Sequence, residues 1–418
     1  MFFRKIKKNF SIVLLAALII CVAASCTERN KTSGENPKNQ NLSPVMPVSS
    51  DSSPNHAHAE ASSWYKFRGN SRNTGLAPYA EGVSDPVLLW KFKGRHEFMS
   101  SPSVSSDGNV IIGSHDGCIY TIQPVGKGQA LIKTHESVVS SPLVTQKFIA
   151  AGSMDGFFYV FEPTGGIIFK SDMEDWICSS PVLTENGNII ISGRKGILRC
   201  FSPDGSVLWN TPVGTGDYEI QSSPAVFNDR IFIGSGDGNI YSVKTDGSIT
   251  GKFETGSPVY ASPAVDESGN IYIGNSAGDF FCLDQDLKLK WKFKTGGGIT
   301  SSAAQDKTGR IIFGCRDNFV YCLNKDGKPV WTFKTGKSIE SSPAVDKTGR
   351  IYIGSDDCHL YALNADGRLL WKFGTAGPIL SSPALTENRI VFGCEDKYVW
   401  CLGEKKQKSE EKPEKNRN

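Results

Sequence analysis

Three histidines are the side chains of this sequence best suited to bind a metal ion. His96, His115 and His135 are each followed directly by a carboxylate residue. Three imidazoles that converge from neighbouring loops could ligate zinc. The alternative is that they are ordinary surface histidines, since the sequence does not set the distances between them. The three residues form a candidate metal site.

A second group combines aromatic and acidic side chains in two irregular stretches. SDMEDWIC spans 171–178 and GTGDYEIQ spans 214–221. Tryptophan and tyrosine are common at the centres of protein interfaces, and carboxylates beside them suit the basic or peptide surface of a partner. The alternative is solvated loops whose aromatic rings pack into their own structural unit. The candidate partner-binding residues are Glu174, Asp175, Trp176, Asp217, Tyr218 and Glu219.

Other kinds of chemistry lack their usual sequence signatures. We find no nucleophile elbow, no glycine loop of the kind that cradles phosphate and no pair of carboxylates at a convincing spacing. The formal charge is +3, and it is carried mainly by the two ends of the chain. The near-neutral body lacks the basic footprint of a nucleic-acid-binding protein. We therefore expect neither catalysis nor a nucleic-acid partner.

The first 25 residues have the pattern of an export signal. Basic residues precede a short apolar run, which is shorter than the roughly 20 residues of a membrane-spanning helix. The segment that ends at Cys26 resembles the lipobox of bacterial lipoproteins, in which the cysteine is acylated. Ordinary secretion with cleavage after the same small residues is the alternative. We expect export and a lipid anchor on Cys26 in the outer membrane, on either its periplasmic or its outer side.

The composition after Cys26 predicts a flexible tether. Residues 26–63 are rich in Asn, Ser, Pro, Lys and Thr and contain almost no large apolar residue, so they cannot bury a core. Residues 404–418 are similarly charged and polar, and we expect a disordered tail there. The folded domain is thus predicted to span 64–403.

The elements that must position the candidate residues come from a repeat of about 40 residues. A typical copy begins with a Ser-Ser-Pro phrase or a close variant, which opens the first of four short runs of strand-forming residues separated by turn residues. This period is typical of a four-stranded propeller blade. The phrase is anchored at Pro102, Pro142, Pro181, Pro224, Pro263, Ala303, Pro343 and Pro383. We predict an all-β fold, a single monomeric propeller with eight antiparallel blades.

The fourth strand of each blade carries the phrase WKF or a relative of it. Its first copy precedes the first Ser-Ser-Pro phrase, and no copy follows the last blade. The N-terminal strand should therefore complete the final blade, which leaves no open edge between the first blade and the last. The lysines that alternate with the aromatic residues should face water on the outer edge, where they block strand-to-strand aggregation; a basic ring for anionic partners is the alternative.

The phrases SSPAV, IYIGS, YALNADGRLLW and WKF resemble the repeat of the PQQ-binding-like propeller family. The stretch WYKFRGNSRNTG at 64–75 is similar to the lead-in that often precedes it. The family includes quinone-dependent dehydrogenases and the lipoprotein subunit of the outer-membrane barrel-assembly machinery, so the resemblance specifies the fold better than the function. It implies that tryptophans of the fourth strands dock each blade on the next. The docking candidates are Trp90, Trp209, Trp291, Trp331 and Trp371.

Enzymes of this family bind PQQ and calcium beside a disulfide between adjacent cysteines. No two cysteines are adjacent in this sequence, and the even blade spacing leaves no long insertion for calcium ligands. We expect no cofactor, and we expect the body cysteines to be free, buried thiols. The predicted function is that of a membrane-anchored, non-catalytic scaffold for protein partners of the envelope, with outer-membrane protein assembly as the nearest analogy. A PQQ- or metal-dependent enzyme or a small-ligand sensor in the central funnel is the alternative.

Overall fold

A computed structural model describes residues 63–214 and 219–405. Within these ranges the chain forms strands, turns and loops, and it contains no helix of the length and hydrophobicity needed to cross a membrane. The predicted signal peptide, Cys26, most of the tether and the C-terminal tail lie outside the described residues. Four-stranded antiparallel sheets repeat eight times, which confirms the predicted propeller.

Each of the first four blades has its strands in chain order from the inside to the outside of the propeller. Blade 1 contains β3 to β6 (Ser103–Val104, Val110–Gly113, Cys118–Ile122 and Gly128–Lys133). Blade 2 contains β7 to β10 (Leu143–Val144, Ile149–Gly152, Phe157–Phe161 and Ile167–Asp172). Blade 3 contains β11 to β14 (Val182–Leu183, Ile189–Ser192, Ile197–Phe201 and Val207–Pro212). Blade 4 contains β15 to β18 (Ala225–Phe227, Arg230–Gly234, Asn239–Lys244 and Ile249–Glu254).

The remaining blades follow the same order, except that the last blade takes its outer strand from the N-terminal side. Blade 5 contains β19 to β22 (Ala264–Val265, Ile271–Gly274, Asp279–Leu283 and Leu289–Lys294). Blade 6 contains β23 to β26 (Ala304–Gln305, Ile311–Gly314, Phe319–Leu323 and Pro329–Lys334). Blade 7 contains β27 to β30 (Ala344–Asp346, Ile351–Ser355, His359–Leu363 and Leu369–Gly374). Blade 8 contains β31 to β33 (Ala384–Thr386, Arg389–Gly393 and Tyr398–Glu404) together with β2 (Pro86–Lys93), and a short β1 (Leu76–Ala77) pairs in parallel with β27.

The circle closes at two places. At the rim, β2 pairs antiparallel with β33, from Lys93 opposite Tyr398 to Pro86 opposite Glu404, one residue beyond the predicted end of the domain. At the axis, the innermost strands of neighbouring blades touch, and β31 touches β3. The first and last blades are therefore joined along both their inner and their outer edges.

The two faces of the propeller carry different connections. The loops that lead from one blade into the next lie beside the turns between second and third strands; for example, the N–H of His115 donates to the carbonyl of Glu97 over 3.0 Å. We call this side the upper face. The turns between first and second strands and between third and fourth strands form the lower face. The inner strands thus run from the upper face down to the lower face.

The Ser-Ser-Pro phrase builds a ring of hydrogen bonds around the axis. The N–H of the second serine in each blade donates to the hydroxyl of the same serine in the next blade, and the last blade donates back to the first. All eight bonds are 2.9 to 3.1 Å long. The ring contains Ser101, Ser141, Ser180, Ser223, Ser262, Ser302, Ser342 and Ser382. The most regular phrase of the sequence therefore holds the blades to one another.

Blade packing also explains two repeated glycines. A Cβ on Gly314, at the end of a second strand, would come within 2.2 Å of Ile339 in the loop that follows the blade. Gly367 lies in a turn with φ of +77°, and a Cβ there would come within 2.4 Å of the Trp331 ring of the preceding blade. Neighbouring atoms exclude a larger residue at both Gly314 and Gly367. At Gly367 the positive φ also favours glycine.

The nine cysteines of the described residues are all free, which confirms that part of the prediction. Seven are buried, and Cys178 and Cys358 are partly exposed. Cys322 lies opposite Ile312, and Cys315 hydrogen-bonds through its backbone to Phe319, so the two thiols of this hairpin do not face each other. Burial raises the pKa of Cys315 to about 11 and that of Cys322 to about 12, which keeps both thiols protonated and unreactive.

Candidate functional site on the upper face

The lead-in at residues 64–75 lies across the lower end of the central channel. Its carbonyl groups accept hydrogen bonds from the inner strands of six blades, at the residues that precede the lower turns. The pairs are Trp64 with Val104, Tyr65 with Val144, Ser71 with Val226, Arg72 with Val265, Thr74 with Gln305, and Gly75 with Val345, at 2.7 to 2.9 Å. The lower part of the channel is thus filled by the chain itself.

Side chains of the lead-in satisfy carbonyl groups of the inner strands. Arg68 is fully buried and donates to the carbonyl oxygens of Pro343 and Ala303. Asn73 donates to those of Pro224 and Pro263, both at 3.2 Å. Burial lowers the pKa of Arg68 to about 9. Because an unpaired buried carbonyl costs free energy, these contacts make the lead-in part of the fold.

The upper mouth of the channel is acidic. Glu340, Asp356 and Glu395 approach it from blades 7 and 8, and burial raises the pKa of each. Repulsion by Asp356, Glu97 and Glu340 raises the pKa of Glu395 further. Arg316 counters part of this charge through an ion pair with Glu340 at 3.0 Å. The mouth therefore favours neutral or cationic groups over anions.

The predicted partner-binding residues separate into two groups around one arginine. Arg194 lies with its guanidinium 4.8 Å from the centre of the Trp176 ring and forms an ion pair with Glu219. Its side chain and that of Glu219 are 27% and 26% exposed, so the group is accessible from the upper face. The described residues include Trp176 and Glu219, whereas Asp217 and Tyr218 lie outside them. We call Trp176, Arg194 and Glu219 the upper-face triad.

Glu174 and Asp175 lie on the other side of Trp176, towards blade 2. Together with Asp155 and Phe157 of that blade they line a cleft of about 290 Å³. The loop is held in shape by the carboxylate of Asp172, which accepts the N–H of Glu174 over 2.7 Å while Glu174 adopts a φ of +60°. The cleft and the upper-face triad thus share Trp176 at their boundary.

Sequence reasoning missed Arg194, although a signal was present. In five blades a tyrosine of the third strand donates to an aspartate of the preceding turn, as Tyr321 does to Asp317 over 2.7 Å. Blade 3 has Lys195 at the aspartate position and Arg199 at the tyrosine position. A turn whose residues depart from the repeat therefore indicates a local function more strongly than the amino-acid composition of that turn does.

The three histidines are not assembled into a metal site. In the part of the chain that the structure describes, no three His, Cys, Asp or Glu side chains are placed to hold a metal ion. His96 pairs with Glu97 at 3.0 Å, and His115 is largely buried, where desolvation lowers its pKa. His135 is exposed, and its contact with blade 2 is a backbone bond to Asp155. His115 lies near His96, which also lowers its pKa, but the three histidines do not form a metal-binding group in the described residues.

The tryptophans of the fourth strands contact the following blade. Each indole N–H donates to a carbonyl near the lower turn of the next blade, at 2.8 to 3.1 Å. The pairs are Trp90 with Pro124, Trp209 with Thr245, Trp291 with Lys325, Trp331 with Ala365 and Trp371 with Val83. These rings are packed between blades and are not free to stack on a ligand.

Comparison with known proteins supports the family resemblance. A family model described as outer membrane protein assembly factor BamB matches residues 194–315 and 316–406, which is half of the chain. No curated protein matches the sequence. The BamB structure from Moraxella catarrhalis aligns with a TM-score of 0.65 at 15% identity, covering 76% of this chain and 99% of that one. A europium-containing methanol dehydrogenase aligns with a TM-score of 0.71 at 12% identity, covering 83% and 99%. At such identities the structural likeness shows the fold alone.

Proposed function

The chain belongs to the family of the outer membrane protein assembly factor BamB, and we propose that it is a non-catalytic scaffold that binds a protein partner of the cell envelope through its upper-face triad. The triad consists of Trp176, Arg194 and Glu219. The proposal includes export, acylation of Cys26 and anchorage in the outer membrane. A tether of 26–63 would then let the propeller reach its partner from the lipid surface.

The main support for the proposal is that the repeat is interrupted in blade 3. The serine ring holds every blade in the same way, but blade 3 replaces the repeated turn aspartate with Lys195 and the glycine of its second strand with Ser192. The connection that follows this blade is also the longest. A scaffold needs its regular positions for stability, and blade 3 combines these substitutions with the longest connection, which points to selection for another role.

The triad is arranged like the centre of a protein interface. Tryptophan and arginine are enriched among residues that contribute most to binding, and here both are held in place before a partner arrives. The Arg194 N–H donates to the carbonyl of Trp176 over 2.8 Å, and its guanidinium bridges Trp176 and Glu219. Because these side chains are already ordered, binding would cost little conformational entropy.

Crosslinking in living cells, followed by purification through a tag after Asn418 and mass spectrometry, tests the proposal. We expect capture of a membrane barrel or an assembly factor, and loss of that capture in Arg194→Ala. Arg316→Ala is the matched control, because Arg316 occupies the same turn position in blade 6 and forms the same kind of ion pair. Equal recovery from both variants, or no recovery from the unaltered protein, would overturn the proposal.

A quinoprotein activity is the competing function, since enzymes of that kind share the fold. PQQ is a tricarboxylic acid, and the residues of the channel do not suit it. Glu340, Asp356 and Glu395 make one side of the upper mouth acidic, and the buried Arg68 already donates to two backbone carbonyls at the lower end. The geometry therefore favours a scaffold, and quinone analysis of the purified protein is the corresponding check.

A further inference from the structure

The cleft beside the upper-face triad has an unusual set of lining groups. It lies between the turn of blade 2 and the loop that leads into blade 3, with a volume of about 290 Å³. Four carboxylates and two aromatic rings line it, and no basic residue does. They are Asp155, Asp172, Glu174, Asp175, Phe157 and Trp176.

These carboxylates are not neutralised by basic side chains. No ion pair in the described part of the chain involves any of the four. Asp155 is occupied by hydrogen bonds from Tyr159 and two backbone N–H groups. The Oδ2 atom of Asp175, in contrast, is buried and has no hydrogen-bond partner. A buried, unpaired carboxylate oxygen is costly, so a donor from outside would gain by reaching it.

The nearest basic side chains are engaged outside the cleft. Lys195 and Arg199 belong to blade 3, behind the loop, and donate to the carbonyl oxygens of Glu174 and Asp172. Lys170 lies 4.7 Å from the centre of the Phe157 ring. Arg194 lies 4.8 Å from the centre of the Trp176 ring and is paired with Glu219. None of these four basic residues lines the cleft. Lys195 and Arg199 hold the backbone of the loop in place and form no ion pair with its carboxylates.

We infer that this cleft takes an arginine side chain presented by the partner, an inference that rests on the proposed function. A guanidinium is planar, can donate to two carboxylate oxygens at once, and is weakly hydrated enough to lie against aromatic rings. Trp176 and Phe157 provide those rings, while Glu174 and Asp175 provide the acceptors. A lysine ammonium lacks the fork geometry, and an anionic group would be repelled.

The test uses the chain labelled with ¹³C-methyl methionine, because only five methionines are present and Met154 lines the cleft. Titration with acetyl-arginine amide should shift the Met154 signal in a saturable way, at concentrations at least about tenfold lower than for the neutral analogue acetyl-citrulline amide. Met46, in the sequence of the predicted tether, serves as the internal control and should not move. Equal responses to the two compounds, or no saturable shift, would overturn the inference.

Variants separate the role of the carboxylates from that of the fold. Asp175→Asn should weaken arginine binding at least about tenfold, whereas Asp246→Asn, an exposed carboxylate of a lower turn, should leave it unchanged. Equal binding by the two variants would contradict the assignment of Asp175. If the protein captures a partner in an Arg194-dependent way but does not bind acetyl-arginine amide, the arginine inference is wrong and the scaffold proposal stands. If it binds acetyl-arginine amide but captures no partner, the arginine inference is supported and the scaffold role is refuted.

Discussion

Removing one hydroxyl from the serine ring should destabilise the propeller measurably. The N–H of Ser262 donates to Ser302 Oγ over 3.0 Å, and the two residues are only 4% and 2% exposed. Ser302→Ala keeps the backbone but leaves this N–H without its acceptor. An unsatisfied buried donor costs about 1 to 3 kcal/mol, so we expect a loss of about 2 kcal/mol in the free energy of unfolding.

Urea unfolding followed by circular dichroism measures this loss. With an m value of about 3 kcal/mol/M, a loss of 2 kcal/mol lowers the midpoint by roughly 0.7 M while the slope stays the same. Ser106→Ala, at an exposed serine in a lower turn of blade 1, is the control and should change stability by less than about 0.5 kcal/mol. If Ser302→Ala were as stable as this control, water in the channel would replace the hydroxyl, and the ring would not hold the blades together.

Three further predictions concern other parts of the scaffold. Ala261→Ser should stabilise the protein by about 1 kcal/mol in the same urea assay, because blade 5 has alanine where other blades place a hydroxyl that accepts a glycine N–H, here that of Gly274. Trp291→Phe removes the indole donor to the Lys325 carbonyl and should cost about 1 kcal/mol; an unchanged melting temperature would contradict docking through this bond. Glu395→Gln should raise stability at neutral pH, because burial and neighbouring carboxylates raise the pKa of Glu395 and the folded state therefore binds its proton more tightly. That advantage should shrink as the pH falls through the raised pKa and vanish below about 4, near the pKa of an unfolded glutamate; a pH-independent difference would refute the electrostatic reasoning.

The candidate site was only partly predictable from the sequence. Trp176 and Glu219 were selected because their stretches are irregular, and the structure places both on the upper face beside Arg194. Arg194 was not among the residues selected from the sequence, because the function of an arginine in a surface turn depends on neighbours that the sequence does not show. The histidines were selected by residue type alone, and in the described residues they do not form a group that could hold a metal ion, because residue type does not set the geometry of side chains on different loops.

Local patterns determined the architecture of this protein from its sequence alone. A period of about 40 residues, turn residues at fixed offsets and alternating apolar residues specify four strands per blade and eight blades, because each of these features acts within a few residues along the chain. The order of the WKF and Ser-Ser-Pro phrases likewise indicated that β2 would complete blade 8, where it pairs with β33.

Only the tertiary structure decided what the lead-in does and where a partner can bind. Arg68 donates to Pro343, 275 residues away, and Arg194 joins Trp176 to Glu219 across two connections. Such contacts depend on which carbonyl groups and side chains are left unsatisfied once the circle has closed. The carbonyl groups and side chains that remain free to bind at the channel and on the upper face are determined by the assembled blades. No local pattern in the sequence could therefore specify them.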